Sequence, residues 1–331
     1  MKQRFFSTLL MIIISFGVGS NLAFAKAKDT KSKSTQSIKN KTKSTKPSTT
    51  KKTPKPEVKK TKITQQIKQG QRMNYSEVSA TASKGSPNLA STAALMIDIE
   101  NGKPLYQKNP DRVLPIASIT KLMTAMVVLD SKPDMNEIIT INEQDVDTIK
   151  NSHSRLPVGT KITRQEALLL ALMSSENRAA HALARTQPGG MSSFVAAMNK
   201  KAKSIGMLHT KFEDPTGLDA DNVSTALDLS KMVVAASKYK SIENATTTGD
   251  ALMMIGRQMK SYRNTNPLVR SSTWDIDISK TGYIQEAGRC LVMKATVNNK
   301  PVAIVLLDSK GQMTRIGDAN RLKQWAEKNN S

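Results

Sequence analysis

The segment Pro115-Ile-Ala-Ser-Ile-Thr-Lys-Leu-Met-Thr-Ala-Met126 places two polar side chains at the start of an almost wholly apolar run. The run continues to Asp130, and its pattern predicts a buried helix over residues 118–130. Ser118 and Lys121 are three residues apart, so they would share one face of this helix. The segment therefore predicts a central helix that begins with a hydroxyl group beside an amine.

Helical patterns fill the middle of the chain, and β patterns lie on either side of them. Further helices are predicted over 164–174, 177–185, 192–205, 224–238 and 316–328. Strands are predicted over 92–98 and 104–106, with Asn101-Gly102 as the turn, and over 276–284, 289–297 and 302–308. This order predicts an α+β domain, in which one antiparallel sheet is completed by N- and C-terminal segments and flanked by helices, with a helical subdomain.

Ser118 and Lys121 together could supply a nucleophile and its base. A serine is a weak nucleophile unless a base takes its proton. A lysine of ordinary pKa, near 10.4, is neutral in only about one molecule in 2,500 at pH 7, so it must be desolvated to serve as that base. The apolar run around Lys121 would provide this burial. The alternative is a helix N-cap with a snorkelling lysine, and the spacing recurs at Ser48–Lys51 and Ser237–Lys240.

Two further motifs could complete such a site. Ser175-Glu176-Asn177 lies between two predicted helices, where its hydroxyl and amide could relay a proton and hold a peptide group. Its alternative interpretation is a helix cap, and Ser86-Pro-Asn88 matches the same pattern. Lys280-Thr281-Gly282 lies on a predicted strand that could pair with an extended peptide. The alternative there is an edge strand protected by a lysine.

The three motifs in this order resemble the signature of the penicillin-recognising serine enzymes. Their surroundings resemble the low-molecular-mass penicillin-binding proteins, and most of all their D-alanyl-D-alanine endopeptidase branch. The resemblance covers roughly residues 88–325, which is most of the predicted domain. It rests on these stretches: Pro115–Met126, Leu172-Met-Ser-Ser-Glu-Asn-Arg-Ala-Ala180, Pro215-Thr-Gly-Leu-Asp219, Asn222-Val-Ser-Thr225 and Lys280-Thr-Gly-Tyr-Ile-Gln-Glu-Ala-Gly-Arg-Cys-Leu-Val-Met293.

This resemblance implies the β-lactamase/D,D-peptidase fold and a catalytic role for three residues. Ser118 would attack a D-alanyl carbonyl in a peptidoglycan stem peptide and become acylated, while Lys121 would take its proton. Ser175 would pass that proton to the leaving amine. Water would then hydrolyse the acyl-enzyme, whereas a β-lactam would acylate Ser118 and leave slowly. Cross-link endopeptidase activity is favoured over D-alanyl-D-alanine carboxypeptidase activity.

Five more residues are implied to bind the substrate. Asn177 would hold the substrate backbone and orient the lysine base, and Lys280 would add positive potential that keeps this base neutral. Thr281 would bind polar groups of the substrate, and Gly282 would let the substrate strand approach closely. The backbone N–H of Tyr283 would form the oxyanion hole with that of the nucleophile.

The N-terminal quarter of the sequence predicts export. Residues 1–25 have a basic start, an apolar centre and the small-x-small end Ala23-Phe24-Ala25, which indicate a signal peptide and a periplasmic location. An uncleaved membrane anchor is the alternative. Residues 26–87 form a predicted disordered tail or linker, and the peptidase domain would span 88–331. Within the tail, residues 26–72 carry fifteen Lys, one Arg, one Asp and one Glu, and hence a net charge of +14.

The rest of the composition mainly excludes other classes of protein. The net charge of the chain is +23, but most of it belongs to the tail, which has no aromatic platform for bases. Because the predicted signal peptide also places the chain outside the cytosol, nucleic acid is not an expected partner. The tail would either contact anionic envelope surfaces or serve only as a solvated spacer. One cysteine, Cys290, excludes an intramolecular disulfide, and no residue pattern predicts a metal site or a cofactor.

Two other functions stay open at this point. A β-lactamase would share the fold, but a class A enzyme needs a Glu-x-x-Leu-Asn setting after the second motif, and Glu213-Asp-Pro-Thr does not fit it. A non-enzymatic cell-wall binding protein would act through the basic tail, and the intact triplet of motifs disfavours it.

Overall fold

The computed structural model describes residues 85–329. The predicted signal peptide at 1–25 and the predicted tail at 26–87 lie outside this range, apart from the last three residues of the tail. Within 85–329, none of the helices combines the length and the apolar character that a membrane span requires.

Eleven strands and seven α-helices make up the described part of the chain. The strands are Ser91–Asp98 (β1), Pro104–Lys108 (β2), Leu114–Pro115 (β3), Ile138–Thr140 (β4), Lys161–Thr163 (β5), Val223–Ser224 (β6), Asp250–Ile255 (β7), Gln258–Arg263 (β8), Asp275–Ile284 (β9), Gly288–Val297 (β10) and Lys300–Ser309 (β11). The α-helices are Lys121–Asp130 (α1), Arg164–Met173 (α2), Asn177–Arg185 (α3), Gly190–Ser204 (α4), Ala226–Ala236 (α5), Lys240–Thr247 (α6) and Thr314–Asn329 (α7).

Five strands form one antiparallel sheet in the order β2-β1-β11-β10-β9. The first strand of the domain pairs with the last, with Leu95 opposite Val305, and this pairing closes the sheet across most of the sequence. The predicted α+β class and the joining of the two ends in one sheet are confirmed. β9, which carries Lys280-Thr281-Gly282, is an edge strand and leaves one side open to a partner.

Both faces of the sheet are buried, which explains why β10 and β11 are apolar along most of their length. One face packs against α7, where Met96, Leu306 and Leu322 belong to one apolar cluster. The opposite face joins the larger core, in which Leu95 and Val305 lie with the helices of the middle segment. A strand covered on both faces loses the alternation of a half-buried strand.

α1 runs through the larger core and is buried on every side except at its last two residues. The predicted helix over 118–130 is wrong at its start, because Ala117–Thr120 form a 3₁₀ turn and the α-helix begins at Lys121. The physical reason lies one residue earlier: Ala117 has a φ of +48°, which a continuous right-handed helix cannot contain. The helix α6 and the ribbon β7–β8 were not predicted.

Candidate active site

A cleft of about 580 Å³ lies between the 3₁₀ turn that carries Ser118 and the edge strand β9. Six of the eight sequence-predicted site residues line it: Ser118, Ser175, Asn177, Thr281, Gly282 and Tyr283. The other two, Lys121 and Lys280, are each 1% exposed and reach the lining residues from behind. The structure thus brings all three motifs to one cleft, although 105 residues separate Ser175 from Lys280.

The Lys121 amine makes three contacts with three different parts of the chain. Nζ lies 2.8 Å from Ser118 Oγ, 2.7 Å from Asn177 Oδ1 and 2.7 Å from the carbonyl oxygen of Thr216. The amide of Asn177 is itself oriented, because its Nδ2 donates to Ser152 Oγ at 2.8 Å. A protonated lysine has three N–H groups, and here each of them has an acceptor.

These contacts determine where the lone pair of a neutral Lys121 would point. Asn177 Oδ1 and the Thr216 carbonyl can only accept, so they hold the two remaining N–H groups. Ser118 Oγ is the one partner that can donate in return. Burial lowers the pKa of Lys121 to about 7 against the opposing effect of the Asp214 carboxylate, so the neutral amine is readily populated near neutral pH. The arrangement therefore aims a lone pair at the Ser118 hydroxyl.

Ser175 and Asn177 flank a buried carboxylate at the junction of α2 and α3. Ser175 adopts a φ of +63°, an uncommon conformation for a residue with a side chain. Next to it, Glu176 accepts from Ser154 Oγ at 2.7 Å and pairs with Arg155 at 3.2 Å, which anchors the motif to the loop before β5. No side-chain capping bond forms at the start of α3. The helix-cap alternative for this motif is therefore not what the structure contains.

Lys280 points inward from β9 rather than out to solvent. Its Nζ donates to Ser175 Oγ and to the carbonyl oxygen of Thr281, each at 3.0 Å. Burial lowers the pKa of Lys280 well below the ordinary lysine value, and the positive charges of Lys121 and Arg315 lower it further. Within the described residues, no hydrogen bond joins Ser175 directly to Ser118 or Lys121. The hydroxyl of Ser175 is thus held by the second lysine, not by the first.

Gly282 permits the close approach between β9 and the turn that carries Ser118. A Cβ on Gly282 would lie 2.8 Å from the carbonyl oxygen of Ile116 and 3.2 Å from the backbone nitrogen of Ser118. Beside it, Thr281 Oγ1 donates to Thr265 Oγ1 at 2.6 Å. Tyr283 is exposed at the cleft and stacks under the guanidinium of Arg289, 4.5 Å from its ring centre. Only a residue without a side chain fits position 282.

Arg315, at the start of α7, is a cleft residue that the sequence analysis missed. It lines the cleft, is 9% exposed, and its Nε and Nη1 atoms have no hydrogen-bond partner among the described residues. An arginine remains charged in proteins, and a buried unpaired charge is costly. Arg315 is therefore suited to an anionic group that enters the cleft. No local motif marks it, because it comes from a helix on the far face of the sheet.

Residues 85–329 contain no group of three or more His, Cys, Asp or Glu side chains arranged to hold a metal ion. The groups that can act chemically in the cleft are hydroxyls, amines, an amide and a guanidinium. They suit attack by an activated serine on a carbonyl compound that carries a negative charge nearby.

Comparison with known proteins gives one consistent result. A family model described as D-alanyl-D-alanine carboxypeptidase matches residues 78–311, which include all three motifs. The D-alanyl-D-alanine endopeptidase of Pseudomonas aeruginosa is 48% identical over 241 residues, covering 72% of this chain and 78% of that protein. The D-alanyl-D-alanine endopeptidase of Escherichia coli is 44% identical over 253 residues, covering 76% of this chain and 82% of that protein. The crystal structure of the Streptomyces K15 DD-transpeptidase is similar with a TM-score of 0.68 at 30% identity, covering 72% of this chain and 98% of that one.

Proposed function

Because this chain belongs to the D-alanyl-D-alanine carboxypeptidase family of serine peptidases, we propose that it cleaves D-alanyl bonds in peptidoglycan stem peptides through an acyl-enzyme on Ser118. Cleavage of cross-links between stem peptides is the favoured activity, since the relatives at 44% and 48% identity are endopeptidases by name. The observation that carries the proposal is the contact set of Lys121, which directs the amine lone pair to Ser118 Oγ.

In the proposed acylation step, neutral Lys121 takes the proton of Ser118 as Oγ attacks the D-alanyl carbonyl carbon. The carbonyl oxygen becomes an oxyanion, which the backbone N–H groups of Ser118 and Tyr283 would stabilise. As the tetrahedral intermediate collapses, the C–N bond breaks. The proton that Lys121 took from Ser118 passes through the Ser175 hydroxyl to the leaving amine, which leaves Lys121 neutral again. Lys280, which donates to Ser175 Oγ, would orient this hydroxyl for the transfer.

In the proposed deacylation step, a water molecule attacks the ester carbonyl carbon and gives a proton to neutral Lys121. The ester C–O bond then breaks, and Lys121 returns this proton to Ser118 Oγ. A β-lactam would open by the same attack on its amide carbonyl. Its leaving nitrogen would stay tethered to the acyl group. Departure of this nitrogen from the cleft would therefore be slow, and so would the entry of water. β-Lactams are thus proposed as covalent inhibitors of this protein.

Substrate binding in the proposal combines an edge strand with a charged pocket. The open side of β9 would pair with the extended stem peptide, and Asn177 and Thr281 would hold its polar groups. Arg315 would bind the carboxylate of the D-residue on the leaving side of the bond, since its Nε and Nη1 atoms are otherwise unpaired. The substrate would in this way neutralise a buried charge of the free enzyme.

Replacing Arg315 by glutamine is expected to remove the preference for a substrate with a free carboxylate. A hydrogen bond to a charged group contributes about 1.5–3 kcal/mol, so kcat/KM for a D-Ala-D-Ala peptide should fall by about 10- to 150-fold. For the same peptide ending in a carboxamide, kcat/KM should change little. Arg321→Gln, on the same helix but paired with Asp318, is the matched control and should retain the preference. If Arg315→Gln lowered kcat/KM equally for the carboxylate and the carboxamide peptide, that result would count against this assignment.

The proposed function is tested by digesting purified muropeptides and identifying the products by mass. Cross-linked dimers should be converted to monomers, pentapeptide monomers should lose D-alanine more slowly, and benzylpenicillin added beforehand should block both reactions. Failure of the folded protein to consume either substrate would overturn the proposal. Rapid turnover of the penicillin itself would instead favour the β-lactamase alternative.

We also propose that the chain acts in the periplasm as three regions: a signal peptide at 1–25, a tail at 26–87 and the peptidase domain at 88–331. The composition of residues 1–72 supports this division, and the net charge of +14 over 26–72 favours contact with anionic envelope surfaces. Binding of the purified protein to isolated cell envelopes should then weaken with added salt, and it should be lost when residues 26–72 are deleted.

A further inference from the structure

The turn at residues 214–219 packs against the backbone that carries Ser118, and of its residues only Thr216 has a role in the assignments above. Its first residue, Asp214, accepts four consecutive backbone N–H groups. Oδ1 lies 2.6 Å from the nitrogen of Thr216 and 2.5 Å from that of Gly217. Oδ2 lies 3.1 Å from the nitrogen of Leu218 and 2.8 Å from that of Asp219. One carboxylate therefore accepts from every backbone nitrogen of the turn after Pro215.

The turn offers two adjacent carbonyl oxygens to one face of α1. Thr124 Oγ1 donates to the carbonyl of Pro215 at 2.6 Å, and Lys121 Nζ donates to the carbonyl of Thr216 at 2.7 Å. Thr216 thus supplies one of the two acceptors that bind the N–H groups of a neutral Lys121, so that its lone pair is directed at Ser118. Its carbonyl is in place because Asp214 holds the N–H groups on either side of it.

The same turn also supports the backbone of the nucleophile. Gly217 has a φ of +80°, and a Cβ on it would lie 1.9 Å from the carbonyl oxygen of Ala117. Ala117 in turn is held at a φ of +48°, in the left-handed region that residues with side chains rarely adopt. The position of Ser118 therefore depends on contact with a turn that Asp214 organises.

Asp214 also differs in its charge balance from Glu176, another carboxylate whose charge acts on Lys121. Glu176 pairs with Arg155, whereas Asp214 forms no ion pair within residues 85–329. Three nearby carboxylates raise the pKa of Lys121 and so oppose the effect of burial. The negative charge of Asp214 has the largest effect of the three. The titratable groups that interact electrostatically with the Lys121 amine are Asp214, Glu176, Asp147 and Lys280.

We propose that Asp214 is a positioning residue for the reaction: it holds the Thr216 carbonyl and the Gly217 contact so that Ser118 and Lys121 meet. Its negative charge has a second, electrostatic role, because it favours the protonated form of Lys121 against the effect of burial. This inference rests on the proposed function, in which Lys121 is the base for Ser118. It assigns to a noncatalytic turn the geometry of acylation and a contribution to its pH dependence.

The test measures the rate constant for acylation by a fluorescent penicillin as a function of pH in four proteins. They are the wild type, Asp214→Asn, Asp214→Glu and Asp219→Asn. Asp219 is the matched control, because it belongs to the same turn but its carboxylate accepts, within residues 85–329, only from the nitrogen of Asp221. The midpoint of each protein's thermal unfolding shows whether it is folded.

Asp214→Asn should change both the limiting rate and the pH profile. Its amide cannot accept all four N–H groups, and a shift of about 1 Å in the turn should lower the limiting rate by about 100-fold. Loss of the negative charge makes a protonated Lys121 less stable, so the rise of the rate with pH should move to lower pH. Asp214→Glu keeps the negative charge, but its longer side chain places the carboxylate differently against the four N–H groups. Its limiting rate should therefore fall while its pH profile stays near that of the wild type. Asp219→Asn should match the wild type in both limiting rate and pH profile.

A pH profile of Asp214→Asn that matches that of Asp219→Asn would overturn the electrostatic role, and an unchanged limiting rate would overturn the positioning role. If Asp214→Asn does not fold, Asp214→Glu and Gly217→Ala still test positioning, and both should be slow with a wild-type pH profile. A wild type that penicillin never acylates would instead indicate failure of the proposed function. Failure of this inference alone would leave that acylation intact.

Discussion

Alanine in place of Ser118 is expected to abolish covalent labelling by a fluorescent penicillin, together with all hydrolysis of D-alanyl bonds. The methyl group of alanine cannot form the acyl-enzyme ester, so the effect is a complete loss rather than a reduced rate. Labelling is read on a denaturing gel and by intact mass, and the wild-type adduct should map to the peptide that contains Ser118. The variant should stay folded, because Ser118 is only half-buried and alanine preserves the backbone of the turn.

The chain itself provides a matched control for this experiment. Ser237 and Lys240 have the same spacing as Ser118 and Lys121. Ser237, however, is the C-cap residue of α5, and its Oγ donates to the carbonyl of Val234 at 3.0 Å. Ser237→Ala should therefore label like the wild type. Stable labelling of Ser118→Ala, at Ser175 or any other residue, would remove Ser118 from its proposed role.

The sequence permitted prediction of the fold class and of a set of residues that the structure gathers in one cleft. Each motif alone had an ordinary alternative, and the structure now distinguishes between them. Ser118 lies inside a 3₁₀ turn, α1 starts without a side-chain cap, and the Lys121 side chain is buried instead of reaching solvent. β9 is indeed an edge strand, but Lys280 is turned inward and does not protect that edge.

What could not be predicted depends on contacts between distant parts of the chain. The left-handed conformation of Ala117 follows from its packing against Gly217, and no local pattern specifies such a contact. Arg315 reaches the cleft only because α7 packs behind the sheet. Local patterns report helix, strand and turn, whereas these features depend on which surfaces meet after folding.

The two buried lysines also illustrate what the structure adds to the motifs. The family resemblance implies that the positive charge of Lys280 keeps Lys121 neutral. In the structure, burial is the main cause of the lowered pKa of both amines, and the charge of Lys121 further lowers the pKa of Lys280. Protonation of one amine therefore disfavours protonation of the other. We propose that this competition, together with burial, keeps a neutral amine beside Ser118 at neutral pH.

Lys121→Ala is expected to lower the rate of acylation by about 10²- to 10⁴-fold, the usual contribution of a general base. In the wild type the rate should rise with pH around a midpoint near the Lys121 pKa of about 7, because only the neutral amine can take the Ser118 proton. The variant should lose this rise. Lys121→Arg should not restore the rate, since a guanidinium stays protonated throughout this range.

Lys240→Ala is the matched control for Lys121→Ala, because it removes the lysine of the second Ser-x-x-Lys match, outside the cleft. It should keep both the wild-type rate and the wild-type pH profile. The pKa of Lys280 supplies an independent measurement: without the charge of Lys121 it should rise, as NMR of a specifically labelled lysine can detect. If Lys121→Ala still showed a rate that rises around pH 7, another group would be the base. The lone-pair geometry at Lys121 would then have no catalytic consequence.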